Sequence, residues 1–310
     1  MKRVFEALES TMNKSSIIDF RNYLKNFSSI TKWIIVSDYC INDKDKPNDV
    51  MTFVIIPYVV DIFDFQEYIK KIAKSDLKHS NQIDDRFISL YKSGIFFSIS
   101  FMLTRDNLIK NLVDKEVIFR TLKVQKEMLE SWIVNTPNNA NHYKDIIKKL
   151  NKIEQEVKRK TFNLSLFKDI VTVTFFTSYI VHLLYKEANI EIVTWFSDRD
   201  KMTSAYDGIA NDFYVIQTHC LCVEKFGDDY KQFTIGYGGE NKENSLFYDE
   251  LNRIADYICG GIADHNIENN QVSADKFCKI AEEILADNKN MLLLRIKKDG
   301  IDRVELKSTK

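Results

Sequence analysis

The chain has 310 residues, with 44 Lys and Arg against 45 Asp and Glu, for a formal net charge of −1. Apolar residues make up 45% and charged ones 29%, the balance of a soluble globular protein, and the length suits one large domain or two modest ones. Nine Gly and three Pro argue against low-complexity linkers and turn-dense small-strand folds, and near-neutrality argues against binding nucleic acid through a large cationic excess. The cysteines, Cys40, Cys220, Cys222, Cys259 and Cys278, are odd in number and scattered. That is no disulfide framework, and it fits a reducing, cytoplasmic compartment.

In chain order, residues 1–31 read as helix, with apolar positions at Val4, Phe5, Leu8 and Met12 and again at Ile17, Phe20, Tyr23 and Leu24. The start is charged and amphipathic, unlike a secretory signal. Trp33–Val36 is a β-branched strand that runs into Ser37 and Asp38. A polar turn over Cys40–Asp49 leads to a second strand, Met51–Ile56, which closes a hairpin and stops at Pro57. Residues 64–74 read as helix with Asp64 as its cap, and Ile95–Leu103 as a buried strand. From Asp106 to Lys160 the pattern is helical and charged, broken near Pro137, which predicts a helical hairpin inserted into the fold.

Residues 164–187 form an apolar helix whose stretch Ile170–Tyr185 carries no formal charge over 16 residues. It contains three Thr, a Ser and a His and falls short of the ~20 apolar residues of a membrane span, so it reads as a core helix and no membrane partner is expected. Ile190–Ser197 is a strand followed by Asp198-Arg199-Asp200, and Phe213–Cys222 and Phe233–Tyr237 are further strand candidates. Phe247–Asp264 reads as helix because Leu251, Ile254, Ala255 and Ile258 share one face. A helix over 273–287 and a hairpin with a type I′ turn at Asp299-Gly300 complete the chain. Strands and helices interleave without a linker. The expectation is therefore a single α/β domain over 1–310, with a helical insertion at 106–160 and a C-terminal helix and hairpin at 272–310.

Two strands that each end on an aspartate, Asp38 and Asp198, are the main chemical signal, because neighbouring strand ends in an α/β sheet gather ligands. Asp256 sits within the apolar stripe of a helix, where an unpaired charge is costly. Three such carboxylates suit a hard cation, Mg²⁺ or Mn²⁺, and a two-metal centre hydrolyses phosphodiesters. The competing reading is that these acids are turn formers and helix caps.

Other motifs carry less. His219, Cys220 and Cys222 lack a second cysteine pair at zinc spacing and read as part of a buried strand. Gly236-Tyr237-Gly238-Gly239 lacks the Lys-Ser or Lys-Thr of a phosphate loop and reads as an ordinary loop. His265 reads as an exposed helix end. The basic run 144–160 is a candidate contact for nucleic acid, against the commoner reading of a solvated face. Arg199 and Lys201 would either steer a phosphate or pair with Asp198 and Asp200.

Strand–Asp38, hairpin, third strand, apolar helix, strand–Asp198 and a late helix with Ala255-Asp256 followed by Gly260-Gly261 resemble, over residues 33–265, the RNase H-like proteins. More narrowly they resemble the family called domain of unknown function 3800. In that family the first Asp is followed by Glu-Ser-Gly, whereas Asp38 is followed by Tyr39 and Cys40. The resemblance implies an RNase H-like mixed sheet flanked by helices. It also implies a Mg²⁺- or Mn²⁺-dependent nuclease with Asp38 bridging the metals and Asp198 and Asp256 as the other ligands. Asp200 is the rival for the middle position. The alternative is a non-catalytic RNase H-like scaffold or partner-binding protein.

Overall fold

The computed structural model describes residues 1–110, 112–239 and 246–308. Asn111, within the expected insertion, and the last two residues of the C-terminal segment lie outside the described residues. The chain divides into two compact units. A sheet unit comprises 2–107, 180–198 and 229–310, and a helical unit comprises 108–179 and 199–228.

The sheet unit begins with α1 (Lys2–Thr11) and α2 (Ile17–Lys25), joined by a π-turn at Met12–Ser16. Next come β1 (Lys32–Cys40), β2 (Asp49–Pro57), α3 (Ile62–Ile72), α4 (Asp85–Lys92) and β3 (Phe97–Leu103). After the helical residues follow β4 (Ile192–Ser197), β5 (Thr234–Tyr237), α9 (Asp249–Asp264), α10 (Asp275–Ile280), β6 (Met291–Ile296) and β7 (Ile301–Val304). The seven strands are ordered β5-β4-β1-β2-β3-β6-β7. β1, β2 and β3 form an antiparallel meander, β4 lies parallel to β1, and β5 lies parallel to β4. β6 lies parallel to β3 and pairs antiparallel with β7. This is a mixed α/β architecture, a seven-stranded mixed sheet flanked by helices.

Central strands are apolar on both faces because both are covered. On one face Ile34 and Val36 pack with the α9 residues Leu251, Ile254, Ala255 and Ile258, all four of them 0% exposed. Each buried Val, Leu or Ile among them contributes about 1.5–3 kcal/mol through burial. On the other face Tyr23 and Phe20 of α2 pack their rings on Phe97, and the Tyr23 hydroxyl donates to the carbonyls of Ile55 and Ile95.

The helical unit holds α5 (Lys115–Asn135), α6 (Ala140–Lys158), the first part of α7 (Leu164–Glu187) and α8 (Lys201–Phe226). It therefore reaches beyond the 106–160 stretch. In α7 the hydroxyls of Thr172, Thr174 and Thr177 donate to carbonyls one turn back, at 2.7, 2.9 and 2.8 Å, which satisfies them inside an apolar helix. Among the described residues α7 is the one helix long and apolar enough to cross a membrane, and 67% of its most apolar window is buried.

Four expectations are corrected. Phe213–Cys222 is not a strand but part of α8: Phe213, Tyr214, Ile216, Thr218 and Cys222 are buried on several sides of the helix, and that burial overrides their β-branched and aromatic composition. Asp61, not Asp64, caps α3, with its carboxylate accepting from the amides of Phe63 and Asp64. The β6–β7 connection closes through the Lys297 amide on the Gly300 carbonyl. Neither Asp299 nor Gly300 has the positive φ that a type I′ turn needs. His265 is not an exposed helix end but 5% exposed, held by Asn270 at 2.8 Å where residues 266–271 fold back on themselves.

Candidate carboxylate site

β1 and β4 run in parallel register from Lys32↔Ile192 to Ser37↔Ser197, and the Asp198 amide donates to the Ser37 carbonyl at 3.1 Å. Asp38 and Asp198 are thus the next residues of each strand, side by side where the pairing ends. On the opposite face the Trp195 indole donates to Ser37 Oγ at 2.8 Å, and the Tyr39 hydroxyl bridges Ser37 Oγ at 2.5 Å and Ser197 Oγ at 2.8 Å. These bonds tie the two strand ends together and fix the spacing of the carboxylates that follow.

The third acid comes from the helix that covers this face. Alternation along β1 points Asp38 the same way as Ile34 and Val36, toward α9, whose Asp256 lies half-buried among core residues. Asp256 Oδ2 accepts from the Leu77 amide at 2.6 Å. Gly260, one turn further on, permits this approach, since a Cβ there would stand 2.5 Å from Leu77 Cδ2.

All three acids are half-buried, and their charges act on one another. Burial, then the charges of Asp256 and Asp198, hold Asp38 well above the usual carboxylate range, against donation from the Cys259 thiol and the Tyr39 amide. Burial raises Asp256 to about 6, opposed by the Leu77 amide and reinforced by Asp76 and Asp198, while Lys78 pulls it down. Cys259 is pushed far up by burial and then by the Asp38 charge, and Cys40 to about 12 by burial and then by Asp43, so both remain thiols. Among the described residues, no three His, Cys, Asp or Glu side chains stand close enough to clasp a metal ion as they are.

The structure thus brings Asp38, Asp198 and Asp256 into one electrostatic cluster. Asp200 does different work: it caps α8, its carboxylate accepting from the Met202 amide at 2.7 Å, with Thr203 completing a capping box. The basic run 144–160 belongs to the helical unit, and four of its seven cations are ion-paired there. Lys148 pairs with Asp145, Lys149 with Asp212, Lys152 with Asp207 and Arg159 with Glu156. His219 packs edge-on against Trp132, and Cys220 touches the Met128 sulfur at 3.2 Å.

Sequence reasoning missed Leu77, Lys78 and Cys259. Cys259 was within reach of it, because three positions after Asp256 places it on the same helix face. Leu77 and Lys78 carried no signal, being 179 and 178 positions away in the chain. Comparison with known protein families, curated proteins and solved structures gave no match for this chain.

Proposed function

We propose that the protein is a Mg²⁺- or Mn²⁺-dependent phosphodiesterase of the RNase H-like kind, a nuclease acting through Asp38, Asp198 and Asp256. The observation that carries the reading is the convergence of three carboxylates from two parallel strand ends and one covering helix, with burial and mutual repulsion raising Asp38 and Asp256. Like charges held together in a half-buried place weaken the fold unless something positive joins them. An all-oxygen donor set suits Mg²⁺ or Mn²⁺. The antiparallel β1-β2-β3 meander with β4 and β5 added in parallel beside β1 supports the RNase H-like resemblance.

In this reading Asp38, Asp198 and Asp256 would hold the cation, and the chemistry it would supply is activation of a water and stabilisation of the leaving oxygen. The Tyr39–Ser37–Ser197 bonds keep the two strand acids in register, and the Leu77 amide orients Asp256. Lys78 brings a positive charge to the Asp256 side, suited to a substrate phosphate. Nucleic acid is the proposed partner, and contact through 144–160 falls to the cations that do not pair within the helical unit.

The test is hydrolysis of RNA and DNA oligonucleotides with Mn²⁺ by the wild type and by Asp38→Asn, Asp198→Asn and Asp256→Asn. Cleavage by the wild type that each substitution abolishes is the expected result. A second reading, a non-catalytic scaffold, is favoured by the partners Asp38 and Asp256 already have in the Cys259 thiol and the Leu77 amide. It expects no cleavage and no cation-dependent stabilisation.

A further inference from the structure

The glycines of Gly236-Tyr237-Gly238-Gly239 hold no phosphate loop, yet one of them builds a surface beside the acids. A Cβ on Gly238 would stand 2.1–2.5 Å from the Tyr248 ring, so only glycine lets that ring lie over the end of β5. Tyr248, 2% exposed, stacks on Phe196 at 4.4 Å between centroids and 10° between planes. Phe196 pairs in register with Val36 and precedes Asp198 by two residues on the same face. On this base stands Phe247, nearly perpendicular to both rings, at 5.4 Å and 81° from Phe196 and 5.1 Å and 89° from Tyr248. Phe247 is nevertheless 44% exposed.

A phenylalanine packed edge-on against two aromatic neighbours, with part of its surface in water, offers a ring on which a flat group can stack. Its support is anchored in both elements that carry the acids: Phe196 in β4 ahead of Asp198, and Tyr248 at the start of the helix that carries Asp256. Two residues of strand span roughly 6.6 Å, so Phe196, on which the platform stands, lies close along β4 to the strand end that carries Asp198. Bases within a duplex already stack on both sides, whereas an unpaired base offers an open face to an aromatic ring.

We propose that Phe247 stacks an unpaired base of a strand bound beside the carboxylate cluster, so that the site takes single-stranded RNA or DNA in preference to duplex. The inference rests on the phosphodiesterase reading and names the form of its substrate. The platform recognises the base and not the sugar, so the RNA and DNA arms of the test assign the source.

The experiment measures fluorescence anisotropy in Ca²⁺ with a fluorescein-labelled single strand, as RNA and as DNA, with the same strand annealed to its complement, and with the same strand carrying abasic residues. Phe247→Ala is expected to weaken single-strand binding roughly 10- to 100-fold and to remove the preference over abasic and duplex probes. Phe247→Trp is expected to restore it, and Phe63→Ala, at an exposed ring on α3, to leave it as in the wild type. Unchanged single-strand binding by Phe247→Ala, with the same thermal melt as the wild type, overturns the proposal. Equal loss on duplex and abasic probes also overturns it. Cleavage of the same strands in Mn²⁺ by the wild type and Asp38→Asn tests the underlying reading separately. A protein that binds single strands through Phe247 and never cleaves keeps the platform and loses the phosphodiesterase.

Discussion

Asp256→Asn removes one of the charges held in the carboxylate cluster, and its effect on stability follows from the structure. Burial, then the charges of Asp76 and Asp198, lift this carboxyl from the usual 3.8 to about 6 against the Leu77 amide. A shift of roughly two units corresponds to about 3 kcal/mol. Because the folded value lies above the unfolded one, the stabilisation is complete below pH ~3.8 and lost as pH rises through ~6. In EDTA the wild type should therefore be more stable near pH 5 than near pH 8, by about 1.4 kcal/mol from this group, the rest of the shift being lost already between pH ~3.8 and ~5. At roughly 2 °C per kcal/mol for a chain of this size, the difference is about 3 °C in Tm. The amide of Asn can still accept from Leu77, so the variant should show a flatter pH profile and a higher Tm than the wild type at pH 8. Mn²⁺ at a hundred times its Kd should return about 3 kcal/mol to the wild type alone. Thermal melts across pH 5–8, with EDTA or Mn²⁺, supply the readout. Parallel pH profiles for the two proteins in EDTA would refute the electrostatic reasoning.

Three further substitutions probe neighbouring parts of the account. Asp200→Ala should lower stability by about 1 kcal/mol through loss of its helix cap and leave Mn²⁺ binding intact; loss of Mn²⁺ binding in titrations would return Asp200 to the ligand set. Lys149→Met strands Asp212, whose side chain is 3% exposed, and should cost about 3–5 kcal/mol in urea unfolding; a cost below about 1 kcal/mol would show that the pair is immaterial. Gly238→Ala drives a methyl into the Tyr248 ring and should cost about 1–3 kcal/mol while weakening single-strand binding; an unchanged melt would contradict the packing described.

Much of the site was visible in the chain because its signals are local. A β-branched run ending on Asp occurs twice, at Asp38 and Asp198, and an acid interrupts an apolar helical stripe at Asp256. Their convergence depends on β4 adding beside β1 and α9 crossing that face, neither of which is written in any short segment. The misread parts have the same cause. Phe213–Cys222 has strand-like composition, and tertiary burial around several sides made it helix. His265 looked exposed until residues 266–271 turned back beside it. The basic run looked available until Asp207 and Asp212, more than fifty positions away, paired with Lys152 and Lys149. Asp200, adjacent in sequence to the cluster, also caps α8, a role the Asp-Arg-Asp run did not announce.

Manganese binding followed by electron paramagnetic resonance tests the central claim most directly. Titration of wild-type protein into Mn²⁺ should deplete the six-line signal of the free ion, and Asp38→Asn should weaken that depletion by roughly 10-fold or more, at least the loss that follows removal of a group supporting a metal ligand. Equal depletion by the two proteins, or a free-ion signal that the wild type leaves untouched, would contradict a metal centre built on Asp38, Asp198 and Asp256.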